Sequence, residues 1–166
     1  MNALINKLDV MLVLPTGSGK TIVIYLWAMA VRMKEGCHKQ MIVVAEPLIS
    51  IISGQLDNQL CPVATLSGGA ELKGTTCSPV GEPCLTSGGQ QITEDKLFSG
   101  QFAILFAGPE ALASSLGQRS LRRLGRAGLL AGLVLDEVHQ GLEGHWEKFR
   151  PGMVRKVFSQ QVKVFL

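Results

Sequence analysis

Apolar residues in this chain gather into short blocks separated by polar, glycine-rich stretches. Val10 to Leu14, Met41 to Ala45, Ala103 to Ala107 and Leu129 to Leu135 run with no polar alternation. Such runs predict strands buried on both faces, as in a parallel sheet. Val63 to Leu66 predicts a shorter strand, and Lys163-Val164-Phe165-Leu166 the start of another. The intervening patterns are helical. Lys20 to Glu35 is apolar nearly all round until Arg32, with Gly36 placed to cap its C-terminus; Trp27 and Met29 within it read as core packing. Pro47 opens a second helical segment in which positions 48, 49, 52, 56 and 60 share one face. Gly108-Pro109-Glu110 opens a third, reaching about Leu116, and the basic stretch Arg119 to Arg126 follows it. Asn2 to Asp9 fits either a short helix or a disordered lead-in. Strands alternating with helices imply an α/β fold with a mostly parallel β-sheet flanked by helices. No internal repeat is visible.

Residues 67–100 break this rhythm. They hold seven glycines and two prolines among many Ser, Thr and Gln residues, which predicts a loop-rich excursion. Glu71-Leu72-Lys73 and Ile92 to Leu97 are its two short helical candidates. With 166 residues the chain suits one domain with a sizeable core. Nearly half of it is apolar and 17% is charged, which excludes wholesale disorder. The net charge of +3 is uneven: residues 119–166 carry 9 basic and 4 acidic side chains, against 7 and 9 before them. That surplus suits a polyanion partner, and equally an ordinary solvated basic face. Cys37, Cys61, Cys77 and Cys84 show no C-x-x-C spacing and no paired histidines nearby, so they read as reduced thiols without zinc. The longest apolar run, Ile22 to Val31, is too short to span a bilayer, and no secretory leader is evident. A soluble intracellular protein is expected.

The chemistry begins where the first strand ends. Leu14-Pro15-Thr16-Gly17-Ser18-Gly19-Lys20-Thr21 joins the predicted strand to the predicted helix. A polyphosphate needs several backbone N–H groups converging on it, hence a tight loop with little side-chain bulk. Gly17 and Gly19 supply that freedom, and the following helix aims its positive dipole end at the anion. Lys20 then reaches the β- and γ-phosphates of ATP, and the Thr21 hydroxyl ligates Mg²⁺. The full pattern G-x-x-x-x-G-K-[ST] is met except at Leu14, which stands at the first glycine. A second block complements the first: Asp136-Glu137-Val138-His139 follows the apolar run Leu133-Val134-Leu135. Its carboxylates therefore leave the C-terminal end of a buried strand, where open α/β sheets bind ligands. Hydrolysis of ATP needs one carboxylate on the metal, here Asp136, and another to polarise water, here Glu137. His139 is placed to link this site to whatever else the domain binds.

Together these blocks resemble a known family. Leu14 to Thr21 is similar to motif I of superfamily-two helicases, and Asp136-Glu137-Val138-His139 to their DExH motif II. Gly144-His145-Trp146-Glu147-Lys148-Phe149-Arg150-Pro151 resembles the aromatic-rich loop of RecQ-family DNA helicases. Glu46 to Leu56 resembles that family's motif Ia, and Ala107-Gly108-Pro109-Glu110-Ala111-Leu112 its motif Ib, with Gly108 in place of the usual serine.

The resemblance implies a RecA-like P-loop NTPase domain, the first motor domain of a DEAH-type ATP-dependent 3′–5′ DNA helicase serving DNA repair and recombination. It would bind Mg-ATP through Pro15, Thr16, Gly17, Ser18, Gly19, Lys20 and Thr21, with Thr21 and Asp136 on Mg²⁺. Lys20, Asp136, Glu137 and His139 would be catalytic. Pro47, Ser50, Gln55, Pro109, Glu110, His145, Trp146, Phe149 and Arg150 would contact single-stranded or forked DNA. Stacking faces at Trp146 and Phe149 and a phosphate contact at Arg150 suit that role. Location in the nucleus follows if the organism is eukaryotic, and in the cytoplasm otherwise. Departures exist. The family's loop usually reads Trp-Gly-His-Asp-Phe-Arg-Pro, whereas here Trp146 follows His145 and one residue is added. An upstream adenine-reading segment, a Thr-Ala-Thr motif III and the second RecA-like domain with its arginine finger are not seen, so a fragment of a motor, truncated at both ends and incapable of unwinding alone, is expected. Two other readings compete: a superfamily-two RNA helicase, and a non-catalytic nucleic-acid-binding remnant.

Overall fold

The computed structural model describes residues 4, 6, 8–13, 18–46, 60–68, 83–136 and 162–165, the last four and Pro109 by backbone alone. In chain order the elements are β1 (Val10–Met11), α1 (Lys20–Met33), β2 (Met41–Ala45), β3 (Val63–Gly68), β4 (Pro83–Ser87), β5 (Gln90–Gln91), α2 (Glu94–Phe98), β6 (Ile104–Ala107), α3 (Pro109–Ala113), α4 (Ser115–Arg126), β7 (Leu130–Leu135) and β8 (Val162–Phe165). The strands form one sheet in the order β1-β8-β7-β2-β6-β3-β4-β5. From β1 to β3 every pairing is parallel, while β4 and β5 add an antiparallel edge. The α/β fold with a mostly parallel sheet flanked by helices is therefore present.

Side chains of the central strands alternate between two cores, as the period of a strand requires. Val43, Ala45, Leu105, Ala107, Leu133 and Leu135 point to a layer built from α3 and α4, where Ala111, Leu112, Leu121 and Leu124 close over them. Ile42, Val44, Ile104, Phe106 and Val134 point the other way, against Ile24, Tyr25, Trp27 and Ala28 of α1. Burial on both faces is why these strands read as unbroken apolar runs. The opposite placement of the helices follows from topology. The β1–α1–β2 connection and the β6–α3–α4–β7 connection travel in opposite directions across the sheet, so crossovers of one hand lie on opposite faces.

Arg32 in the last turn of α1 ties that helix to the sheet's far end. Its guanidinium donates to the carbonyls of Phe102 (2.8 Å), Gly100 (2.8 Å) and Gln40 (3.3 Å). Gly100 has φ +85°, and a β-carbon there would meet the Lys39 side chain at 2.6 Å. Nearby, burial pushes the Cys61 thiol above its ordinary 9.0, although Arg32 pulls it back in part. The Tyr25 hydroxyl likewise rises above its ordinary 10.0 through burial, with Cys61 adding to the effect.

Four expectations need correction. The first strand is shorter than 10–14, and it is not buried on both faces: Met11 and Val13 are 73% and 85% exposed. Among the described residues it is the terminal strand of the sheet, with a neighbour on one side alone. α1 stops at Met33, with Lys34 as its C-cap, and Gly36 takes its φ of +76° in the turn beyond. The stretch 67–100 is more than loop. β4 and β5 pair there and extend the sheet, and Thr93 caps α2 by accepting a hydrogen bond from the Lys96 amide. The Thr65 and Thr86 hydroxyls are hydrogen-bonded to each other, and Ser87 Oγ donates to the Val63 carbonyl at 2.9 Å, so polar residues there serve strand pairing. Finally, Cys84 is disulfide-bonded, whereas Cys37 and Cys61 are free thiols. Glu71-Leu72-Lys73 and the predicted helix over 48–60 lie outside the described residues, apart from Leu60. Among the described residues no helix is long and apolar enough to cross a membrane.

Candidate nucleotide site

The six parallel strands end level with one another. Met11 and Leu135 both pair with Phe165, Ala45 pairs with Leu135 and Ala107, and Ala107 pairs with Leu66. Whatever follows these residues is delivered to one edge of the sheet. After β7 comes Asp136, whose backbone N–H donates to the Ala45 carbonyl at 3.1 Å. After β2 comes Glu46, whose N–H donates to the Ala107 carbonyl at 3.0 Å. Gly108 and Glu110 follow β6. The ladder thus continues one residue beyond the strands and holds two carboxylate-bearing residues on adjacent strands. Asp136 is only 6% exposed and Glu46 is fully buried.

α1 begins on the same edge. Gly19 is its N-cap at φ +89°, a left-handed conformation that disfavours side chains. It offers no side-chain cap, and no acidic residue occupies the first turn. Most helices satisfy their first amides with a Ser, Thr, Asp or Asn cap. A glycine there, followed by Lys20 and Thr21, leaves the positive helix end for an external anion. Ile22 and Val23 amides return to the Gly19 carbonyl at 3.0 and 3.4 Å, which tightens this first turn. Lys20 and Thr21 are both half-buried. β8 alone separates β1, which feeds this turn, from β7, which ends in Asp136.

A Thr hydroxyl and an Asp carboxylate are hard oxygen donors, the ligand type that Mg²⁺ takes. Among the described residues no three His, Cys, Asp or Glu side chains gather into a metal cage. One carboxylate and one hydroxyl, completed by phosphate and water, is the usual Mg²⁺ arrangement at a nucleotide.

Of the residues singled out in the sequence, Ser18, Gly19, Lys20, Thr21 and Asp136 therefore stand at the carboxyl edge, and so do Pro109, as backbone, and Glu110. Pro15, Thr16, Gly17, Pro47, Ser50, Gln55, Glu137, His139, His145, Trp146, Phe149 and Arg150 lie outside the described residues. Glu46, singled out above only as the first residue of the motif Ia block, is the further acidic residue on this edge, and like Asp136 it directly follows a fully apolar strand.

A family model described as DEAD/DEAH box helicase matches residues 1–164. The ATP-dependent helicase SGS1 of Saccharomyces cerevisiae is 29% identical over 153 residues, which cover 91% of this chain and 9% of that protein. The chain thus spans about a tenth of the length of this curated relative. Among solved structures, a nuclease-deletion mutant of the Type ISP restriction-modification enzyme LlaGI, in complex with a DNA substrate mimic, aligns over 98% of this chain and 16% of its own. Its TM-score is 0.49 at 15% identity. DEAD/DEAH box helicases in general bind ATP with Mg²⁺. With the match running through nearly its whole length, the chain belongs to the DEAD/DEAH box helicase family.

Proposed function

We propose that this chain is the first RecA-like motor domain of a RecQ-like, 3′–5′ DNA helicase, with residues 1–166 forming one ATP-binding unit. The observation that supports the reading is that α1 opens on Gly19-Lys20-Thr21 with no side-chain cap, while β7 ends at Asp136 on the carboxyl edge of the parallel strands. Gly19 and the amides of the first turn of α1 cradle the phosphates, together with Pro15, Thr16, Gly17 and Ser18. Lys20 neutralises the β/γ charge as a point cation. Thr21 and Asp136 hold Mg²⁺, which lowers the charge on the transferred phosphoryl group when bound. Glu137 takes a proton from the attacking water, and His139 connects the site to the DNA side. Pro47, Ser50, Gln55, Pro109 and Glu110 lie along the DNA backbone. His145, Trp146, Phe149 and Arg150 stack on bases and contact phosphate, coupling single-stranded or forked DNA to hydrolysis.

A second RecA-like domain is the partner this reading requires, because the arginine that stabilises phosphoryl transfer is supplied across the cleft. In a eukaryotic cell the protein then works in the nucleus. What favours DNA over RNA is the aromatic-rich block 144–151, which resembles the loop of RecQ-family DNA helicases. Nucleotide titration tests the reading. Wild-type chain should bind Mg-ATP, and Lys20→Ala should bind it at least tenfold more weakly. Equal binding by the two proteins removes the phosphate-loop assignment.

A further inference from the structure

α4 presents a surface that the nucleotide site leaves unused. Gly117, Ser120, Leu121 and Leu124 face inward, and the opposite side carries Arg119, Arg122, Arg123 and Arg126 with no acidic residue anywhere on the helix. These arginines, with Ser115 and Gln118, line an open depression of about 750 Å³. Arg119 and Arg123 are 61% and 49% exposed as side chains. Both lean on the neighbouring α2: Arg119 Nη2 lies 2.5 Å from Glu94 Oε1, and Arg123 Nη2 lies 2.9 Å from Asp95 Oδ1. Arg123 also stacks 4.1 Å over the Phe98 ring. Arg122 donates to Gln118 Oε1 at 2.9 Å. Four guanidinium groups against two carboxylates leave a local surplus of positive charge.

We propose that this face of α4 is a second nucleic-acid contact, one that grips the phosphate backbone away from the nucleotide edge. The inference rests on the reading of DNA as the partner. Three features favour a phosphate polymer. The cationic groups are all arginines, whose planar fork matches phosphate oxygens in pairs. From Arg119 to Arg126 the helix rises roughly 10 Å, which spans about three phosphates of one strand at ~3.4 Å each along the duplex axis. Among the described residues that line the depression none is aromatic, so it suits backbone rather than bases. Ion pairs on so open a surface are weak, and phosphates can replace Glu94 and Asp95 at little cost. α4 follows α3 directly, with Ser114 ending one helix and capping the next. A strand lying along Pro109 and Glu110 is therefore delivered to the arginines without crossing the sheet.

The test is anisotropy of a labelled forked DNA with the 166-residue chain, titrated across salt concentrations. Arg122→Gln together with Arg126→Gln leaves the α2–α4 ion pairs intact. This double variant should bind about tenfold more weakly at low salt. Its log–log salt slope should be shallower by about 2, with Mg-ATP binding and melting temperature unchanged. An unchanged slope in the double variant, alongside loss of binding in Trp146→Ala/Arg150→Ala, overturns the proposal and leaves the helicase reading standing. Failure of the wild-type chain to bind the DNA at all removes both. Tighter binding of a polyglutamate peptide than of the DNA, lost in the same double variant, assigns the face to an acidic protein and also overturns the proposal.

Discussion

Gly117 and Gly125 sit eight residues apart in α4, and the same substitution should move stability in opposite directions at the two. A β-carbon built on Gly117 falls 2.2 Å from the Ala111 carbonyl oxygen and 2.8 Å from Leu112 Cα. Both obstacles are backbone atoms of α3, so no side chain can swing aside. The two helices must part, and the core contacts of Leu112, Leu121 and Leu124 loosen with them. Overpacking of this kind costs roughly 1–3 kcal/mol, and more where backbone must shift. Against that, alanine is worth about 1 kcal/mol over glycine inside a helix. Gly117→Ala should therefore destabilise by about 2 kcal/mol net. At Gly125 a β-carbon meets nothing within 4 Å, so Gly125→Ala should stabilise by up to ~1 kcal/mol. Thermal melts of the two variants read this as a fall of roughly 4–8 °C and a rise of about 2–4 °C. Because α3 starts with Pro109 and Glu110, Gly117→Ala should also weaken DNA binding more than nucleotide binding. A Gly117→Ala protein as stable as wild type refutes the close α3–α4 approach.

Ser120 Oγ is buried with no hydrogen-bond partner among the described residues. Ser120→Ala removes an unsatisfied hydroxyl and should raise stability by about 1 kcal/mol in urea melts; a loss instead would mean the hydroxyl is bonded. Arg32→Met removes three charge-assisted donations and should cost about 2 kcal/mol. It should also slow labelling of the Cys61 thiol relative to Cys37, because the cation that lowers Cys61 is gone. Stability should decline in alkali. Cys61 and Tyr25 both ionise at higher pH folded than unfolded, so their contribution is complete below the ordinary thiol range and is lost as pH climbs through the raised values. Melts from pH 7 to 11 should show the fall beginning near 9 and reduced in Cys61→Ser; a flat profile contradicts the shifts. Asp136→Asn should abolish the Mg²⁺-dependence of nucleotide binding, and an affinity still raised by Mg²⁺ removes Asp136 from the metal.

Local sequence was sufficient wherever one residue's neighbours in the chain decide its state. Met41–Ala45 and Leu130–Leu135 declare themselves because a strand buried on both faces tolerates only apolar side chains. Gly19-Lys20-Thr21 declares a helix start built for an anion, since only glycine adopts φ +89° at ease. The basic stretch from Arg119 concealed a helix because Gly117 and Ser120 hold two of its four inward positions, and neither looks apolar. Their smallness answers to α3, an element the local pattern cannot see. The polar stretch 83–91 likewise became strand through pairing with β3, where the hydroxyls of Thr65 and Thr86 satisfy each other. Val10-Met11 lost its two-sided burial because strand order, not composition, put it at the edge. The site itself divides in the same way. Its residue types could be read in line, but that Lys20 and Asp136, so distant in the chain, share one edge was decided by the register of parallel strands. Parallel pairing aligns strand ends however far apart they lie in sequence.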